Sequence, residues 1–292
     1  MSGFDKVLKD LEENKTMPDI TRKVYISRIK TLKKLFKSTD ELKSADGVLE
    51  ALESSTLNTK LSYLNTIIAL KKYSSAFEID VNDYRLKQYD LINEREDKLS
   101  DDIQNTPVVP YSKLVEIRER YGDIEYAGFD HLLASLYTMI PPLRDDFGDV
   151  ELIVKDSDDN DKNNYYNLKT HTLILNDYKG SNYIRNKQSK KKKILFPLAL
   201  HDVIVETLNK YPRDYLVTKK KLKSVDETYA NGNLSFVVKD VFGGFTINDL
   251  RKSFASRNMV SKGLNLKELK LDAGGMMHSV GTHLTYMRGL GG

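Results

Sequence analysis

The chain has 292 residues, 40% of them hydrophobic, which is enough to furnish cores for two domains and indicates neither disorder nor a repeat array. Its 46 lysines and arginines against 42 aspartates and glutamates leave a net charge of +4, compatible with a nucleic-acid partner only if the positive charge is unevenly placed. The absence of cysteine excludes disulfides and thiolate metal ligands. No apolar run nears the ~20 residues of a membrane span, and Met1-Ser2-Gly3-Phe4-Asp5-Lys6 lacks a signal-peptide pattern, so a soluble intracellular protein with no membrane partner is expected.

A short helical pattern covers Val7 to Glu13, and Thr16-Met17-Pro18-Asp19 forms a turn and helix start. From Ile20 to Phe36 the apolar Val24, Ile26, Ile29, Leu32, Leu35 and Phe36 recur near helical spacing, while Arg22, Lys23, Arg28, Lys30, Lys33, Lys34 and Lys37 fill the other positions. That pattern predicts an amphipathic helix with a basic outer face, which taken alone is by default merely solvated. Helices follow over Asp46 to Glu53 and Ser55 to Ser74, with an N-cap within Ser54-Ser55-Thr56, and another spans Val81 to Arg95. The polar, aperiodic stretch from Glu96 to Pro110 contains two prolines and marks a boundary between a helical domain, 1–103, and a second domain, 104–292.

The second domain opens with helices over Tyr111 to Arg120 and Gly128 to Ile140, the latter stopped by Pro141-Pro142. Strand patterns occupy Val150 to Val154, Tyr165 to Leu168, Thr172 to Leu175 and Lys193 to Phe196, with Asp156 to Asn164 as a polar turn between the first two. The expected fold is mainly α with a small antiparallel sheet in the second domain, an α+β arrangement. Helices return over Leu200 to Lys210, Leu234 to Val241, Ile247 to Val260 and Leu266 to Leu271, and a last short one carries Tyr286.

The chemistry-bearing stretch is Gly274-Gly275-Met276-Met277-His278-Ser279-Val280-Gly281-Thr282-His283-Leu284-Thr285-Tyr286-Met287-Arg288. The two glycines read as a flexible approach, the methionines as an apolar anchor, and Tyr286 as a nucleophile presented by a short helix. A free phenol ionises only near pH ~10, so an attacking tyrosine needs cationic neighbours. Three basic residues stand at element boundaries: Arg144 after the proline-terminated helix, Lys179 in Asp177-Tyr178-Lys179-Gly180 at a strand end, and Arg251 in the first turns of a helix. Two guanidinium groups suit the non-bridging oxygens of a phosphodiester, and a hairpin lysine can protonate a departing oxygen. Alone, each has a plainer alternative: Arg144 pairing with Asp145 or Asp146, Lys179 as a hairpin charge.

Taken in order, these residues resemble the tyrosine recombinase family of site-specific DNA recombinases and integrases. Pro141-Pro142-Leu143-Arg144 resembles its first arginine motif, and Tyr178-Lys179-Gly180 its hairpin lysine. Asn248-Asp249-Leu250-Arg251-Lys252-Ser253-Phe254-Ala255-Ser256 resembles its second arginine box, and Met277-His278-Ser279 with Tyr286 its histidine and nucleophile. The resemblance runs from about residue 107 to the end and matches the helical first domain in character only. In two places the sequence departs from it. Asn248 stands where the family usually has histidine or lysine, and can donate a hydrogen bond but carries no charge. Phe147 replaces an acidic residue, with Asp146 one position earlier as substitute. These departures suggest a divergent viral or mobile-element branch.

The resemblance implies a two-domain clamp on double-stranded DNA, acting as a homo-tetramer on two duplexes, in the cytoplasm or nucleus of a host cell or associated with a virion. It implies that Tyr286 forms a 3′-phosphotyrosyl link, that Lys179 protonates the 5′ leaving oxygen, and that Arg144, Arg251 and His278 stabilise the phosphorane with Asn248 in support. Neither cofactor nor metal is required, because the bond energy stays in the link. Backbone contacts are expected from Arg22, Arg28, Lys30 and Lys33, from Lys187, Lys190, Lys191 and Lys192 in the lysine run beside Lys179, and from Lys220 in Lys219-Lys220-Lys221-Leu222-Lys223. Lys187 is the second choice for the acid. His171, His201 and His283 read as structural or exposed, without metal-ligand spacing. Two other functions fit the same residues: a type IB topoisomerase, disfavoured by the short chain, the separate helical domain and the brief tail after Tyr286, and a weakened relative that binds DNA without cutting.

Overall fold

A computed structural model describes residues 3–74, 79–105, 108–155, 163–178, 191–223, 227–229, 233–257 and 266–287. The chain divides into two compact units, Met1–Ile103 and Gln104–Gly292.

The first unit is helical: α1 (Gly3–Glu13), α2 (Asp19–Leu35), a 3-10 turn (Thr39–Lys43), α3 (Ala45–Ala51), α4 (Leu57–Tyr73) and α5 (Val81–Asn105). Local chemistry sets the starts. The Thr56 hydroxyl accepts from the Thr59 amide at the head of α4, Ser44 does the same for Gly47 at α3, and Ser38 with Glu41 forms a reciprocal capping box on the 3-10 turn. The core joins Phe4, Val7 and Leu11 of α1 to Ile29 and Leu32 of α2 and to Leu64, Ile67 and Leu70 of α4. Within α2 only Ile29 and Leu32 are buried. Val24 and Leu35, which share the apolar periodicity, are exposed. Helix α5 runs ten residues beyond its expected end, through the stretch read as a linker. That stretch holds no glycine or proline before Pro107, and proline disfavours helical backbone only in the residue just before it.

Tyr84 is fully buried and donates its hydroxyl to the Leu42 carbonyl at 2.6 Å, joining α5 to the end of the 3-10 turn. Tyr84→Phe is expected to destabilise the protein by about 1–2 kcal/mol, because the carbonyl loses its partner in a water-poor site. Urea denaturation followed by circular dichroism should show a lower midpoint at unchanged slope. An unchanged midpoint would mean that the bond contributes nothing.

The second unit contains α6 (Tyr111–Glu125), α7 (Phe129–Thr138), β1 (Glu151–Ile153), β2 (Tyr165–Asn167), β3 (Thr172–Leu175), β4 (Lys192–Leu195), α8 (Leu198–Lys210), α9 (Leu234–Val241), α10 (Ile247–Ser256), α11 (Leu266–Gly275) and α12 (Val280–Tyr286). Every residue of α7 except Asp130 is buried, so this helix forms the centre of the unit, with His131, Ser135 and Thr138 buried along with the apolar residues. Its core continues through Leu143, Phe147, Tyr166, Leu173, Phe242 and Leu250.

The sheet corrects one expectation. It is mixed, in the order β1-β2-β3-β4, and β1 pairs with β2 in parallel while the other two pairings are antiparallel. The register is held by the Glu151 amide donating to the Asn164 carbonyl and the Leu168 amide to the Ile153 carbonyl, both at 2.9 Å. The buried side chain of Asn167 donates to the Lys155 carbonyl and accepts from the Lys155 amide, so the chain leaving β1 is fastened to the end of β2. On its other edge β1 exchanges bonds with Asp214 and Leu216. A hairpin between β1 and β2 would have turned β1 over and offered that edge a reversed partner.

Candidate active site

Helix α10 begins with a capping box: the Thr246 hydroxyl accepts from the Asp249 amide, and the Asp249 carboxylate accepts from the Thr246 amide at 2.8 Å. Leu250 and Phe254 then face the core, and Arg251 turns inward beside them. Arg251 is fully buried. Its Nη1 donates to the Pro142 carbonyl at 2.5 Å, and its Nη2 to the Met276 carbonyl at 2.9 Å and to His278 Nδ1 at 3.0 Å. Its guanidinium lies 5.4 Å from the centre of the Tyr286 ring. Burial lowers its pKa, a hydrogen bond with Tyr286 and the charge of Asp146 act in the other direction, and an arginine remains protonated regardless.

Gly274 and Gly275 do not form a flexible approach: they are the last residues of α11. That helix stops in a Schellman turn, with the Met277 amide bonded to the Gly274 carbonyl and the His278 amide to the Ala273 carbonyl, both at 3.1 Å. Met277 takes the left-handed conformation, φ 54°, that glycine usually supplies. Gly275 is required for another reason. A Cβ there would lie 2.7 Å from Pro141 Cγ, so the helix end approaches Pro141-Pro142 too closely for any side chain. The Ser279 hydroxyl then caps α12 by accepting from the Thr282 amide at 3.1 Å.

His278 therefore sits between two capped helices. Its ring is stacked on Tyr286 at 5.2 Å, and its Nε2 lies 2.9 Å from Nδ1 of His283, which is also buried. Burial, then the charges of Arg251, His283 and Arg144, push the His278 pKa down to about 3, so the ring is neutral near neutral pH. Arginine can only donate, so Nδ1 of His278 is an acceptor and its single proton resides on Nε2. His283 is the site residue that the sequence reading missed. Its spacing, five residues after His278 and three before Tyr286, was legible as one helical turn from the tyrosine. The other three histidines are engaged elsewhere: His171 stacks on His201 at 3.7 Å, His201 Nδ1 meets the Tyr166 hydroxyl at 2.9 Å, and His131 Nδ1 accepts from the Ala127 amide at 3.0 Å.

Arg144 belongs to the same cluster, since its charge acts on Arg251, His278 and Asp146. Its amide donates to Asp146 Oδ2 at 3.0 Å and its carbonyl accepts from the Tyr137 hydroxyl at 2.7 Å, so its backbone is held on both sides. Burial raises the Asp146 pKa, opposed by the Arg144 amide and by both arginines. Tyr178, at the end of the described part of the β3 hairpin, is buried and feels the charge of Asp146, which brings the hairpin to the edge of the cluster. Lys179, Lys187 and Lys190 lie outside the described residues. Asn248 is exposed on the first turn of α10, one turn from Arg251 and outside its hydrogen-bond set.

The basic residues divide into two groups. Arg28 is occupied inside the first unit, donating to the Ser62 carbonyl at 3.1 Å and to Thr66 Oγ1 at 2.9 Å. Arg22 bonds to the Asn14 carbonyl and to Asp19, Lys33 pairs with Asp5 at 2.5 Å, and Lys220 pairs with Glu227 at 3.3 Å. Lys30 and Lys192 are exposed, and Lys191 is half-buried. Among the described residues, no group of three or more His, Asp or Glu is placed to hold a metal ion.

The fold matches solved structures across nearly the whole chain. A lambda integrase dimer bound to a COC′ core site superposes with a TM-score of 0.61 at 13% identity, covering 99% of this chain and 95% of that one. The XerH site-specific recombinase bound to a palindromic difH substrate, in a post-cleavage complex, gives 0.54 at 14% identity, covering 97% and 80%. No family model matches the sequence, and no curated protein matches it by sequence. The fold is that of the tyrosine recombinases, helical with a small mixed sheet.

Two neighbouring glycines separate conformational from steric requirements. Gly275→Ala is expected to destabilise the protein by about 1–3 kcal/mol, as overpacking does, because Pro141 stands in the way. Gly274→Ala meets nothing within 4 Å on a helical position and should be neutral or stabilising by up to ~1 kcal/mol. Thermal unfolding of the two variants checks this, and equal midpoints would contradict the close approach.

Proposed function

We propose that the protein is a site-specific DNA recombinase or integrase that cuts and rejoins DNA through a 3′-phosphotyrosyl link at Tyr286. The observation that carries this reading is the charge balance around one phenol. The Arg251 guanidinium and the neutral His278 imidazole lie against Tyr286, the charge of Arg144 reaches both of them, and Asp146, whose carboxylate acts on Arg251, has its charged form disfavoured by burial. A cluster with that surplus of positive charge calls for an anion, and a phosphodiester supplies one whose charge grows during displacement. That similarly folded proteins were solved on a core site and on a difH substrate supports double-stranded DNA as the partner here.

In this reading Tyr286 Oη attacks the phosphorus and the 5′ oxygen departs. Arg144 and Arg251 hold the non-bridging oxygens, His278 accepts from Arg251 and packs against Tyr286, and Asn248 adds a neutral donor at the rim. Arg251 is fully buried, with its guanidinium 5.4 Å from the centre of the Tyr286 ring. Lys179 follows Tyr178 at the edge of the cluster and is assigned the proton for the leaving oxygen. Residues 1–103 serve as the DNA-holding domain and 104–292 as the catalytic one, working as a tetramer on two duplexes.

A nicked suicide substrate should trap a covalent protein–DNA adduct with the native chain and none with Tyr286→Phe, while duplex binding by the variant stays within about threefold, since one hydroxyl contributes little to a phosphate-dominated interface. Transfer of the adduct to a second duplex distinguishes recombination from simple relaxation. Binding without any adduct from the native chain would mean that the protein clamps DNA but does not cut it.

The acid has its own test. Lys179→Ala should lose most cleavage of ordinary DNA and regain it on DNA whose bridging 5′ oxygen is replaced by sulfur, which departs without a proton. Arg144→Ala should stay slow on both. Rescue of Lys187→Ala instead would move the acid along the hairpin.

A further inference from the structure

Two buried groups, Arg251 and His283, and the half-buried His278 between them form one directional chain of hydrogen bonds. Arg251 Nη2 donates to His278 Nδ1, which fixes the remaining His278 proton on Nε2, and Nε2 points at Nδ1 of His283 at 2.9 Å. Nδ1 of His283 must therefore be the acceptor. His283 is buried at 1% exposure on α12, three residues before Tyr286. Residues three apart on a helix share a face, and the Tyr286 ring accordingly packs on the same imidazole that His283 holds, nearly parallel to it at 23°. The chain thus begins at the arginine of α10 and ends on the helix that bears the tyrosine.

We propose that His283 is a positioning residue: by accepting the Nε2 proton of His278 it ties α12 to Arg251 and sets where the Tyr286 ring lies. The proposal rests on the reading of Tyr286 as the nucleophile. The other contacts that reach Tyr286 are its hydrogen bond with Arg251 and its stacking on His278. The apolar contacts under α12 are a small cluster of Ala255, Leu269 and Met287, with Val280 and Tyr286 at its margin. Apolar contact is non-directional and leaves a seven-residue helix free to slide or rotate, whereas an N–H···N bond fixes both the distance and the angle. Burial and the charge of Arg257 disfavour protonation of His283, against the charge of Asp272, which keeps its Nδ1 available as an acceptor.

The test uses two substitutions that fill similar space. Asn at 283 places an amide oxygen at the same distance along the side chain as Nδ1, and Leu places a methyl group there. The free protein, with ¹⁵N-labelled histidine and ¹³C-labelled tyrosine, should show an exchange-protected His278 Nε2–H with scalar coupling to His283 Nδ1. The protected proton should persist in His283→Asn and disappear in His283→Leu. The Tyr286 ring resonance, assigned through Tyr286→Phe, should shift in His283→Leu and not in His283→Asn. At saturating suicide substrate, His283→Leu should form adduct about tenfold more slowly with unchanged DNA affinity, and His283→Asn within about threefold of native, the difference expected for one buried hydrogen bond. The proposal is overturned if the native protein lacks the coupling, if the tyrosine resonance is the same in all three proteins, or if Asn behaves as Leu does. Because the resonances are read without DNA, a native chain that forms no adduct would refute the enzymatic reading while still deciding whether His283 positions Tyr286.

Discussion

The second unit depends on one buried cation. Arg251 is the largest fully buried side chain among the described residues, and it has no carboxylate bonded to it. Its Nη groups reach two main-chain carbonyls and an imidazole from two stretches of chain: Pro142 after the central helix, and Met276 and His278 in the turn between α11 and α12. Carbonyl dipoles compensate a desolvated guanidinium only while all of them remain in place, so the arginine enforces the meeting of segments more than a hundred residues apart in sequence. The tight features around it serve that meeting. Gly275 lets the end of α11 touch Pro141, and the left-handed Met277 redirects the chain at once, so that the Met276 carbonyl and the His278 ring reach the same guanidinium from two sides.

The resulting electrostatics are asymmetric. Arg251 is shielded from solvent, positive charge is fixed by Arg251 and Arg144, and Asp146, which acts on both, is engaged by the Arg144 amide. The histidines respond by remaining neutral, and neutrality is what allows them to act as donor and acceptor in series. A protonated His278 would break the chain at its first link, since two donors would then face each other.

Much of this was legible in the sequence because the responsible signals are local. Thr246 and Asp249 announce the start of α10, Ser279 that of α12, and the order of Arg144, Arg251, His278 and Tyr286 carries the site. What was not legible depended on partners remote in sequence. The sheet was read as antiparallel throughout because a polar stretch between two strands resembles a hairpin. The parallel pairing is decided instead by the side chain of Asn167 and by the Asp214–Leu216 segment on the far edge of β1. Gly274-Gly275 was read as flexibility because nothing local reveals that Pro141 lies against the second glycine. Helix α5 was cut short because polarity was taken for irregularity, although the residues as far as Asn105 contain no helix breaker. His283 was set aside for lacking metal-ligand spacing, a criterion blind to a histidine whose partner is another histidine.

The small cluster beneath the last two helices gives the second unit an uneven stability. Helix α7 is enclosed by the main core, whereas α11 and α12 rest on a small cluster of Ala255, Leu269 and Met287, on the buried Ala273 and Met276, on the Arg257–Asp272 ion pair at 2.9 Å and on the bonds around Arg251. Local opening free energies follow buried apolar contact, so α12 is expected to open before α7 does, at the cost of the Arg251 bonds to Met276 and His278. Amides of α12 should then exchange with solvent sooner than those of α7. The tyrosine and the buried arginine thus stand on helices joined by polar bonds more than by apolar contact.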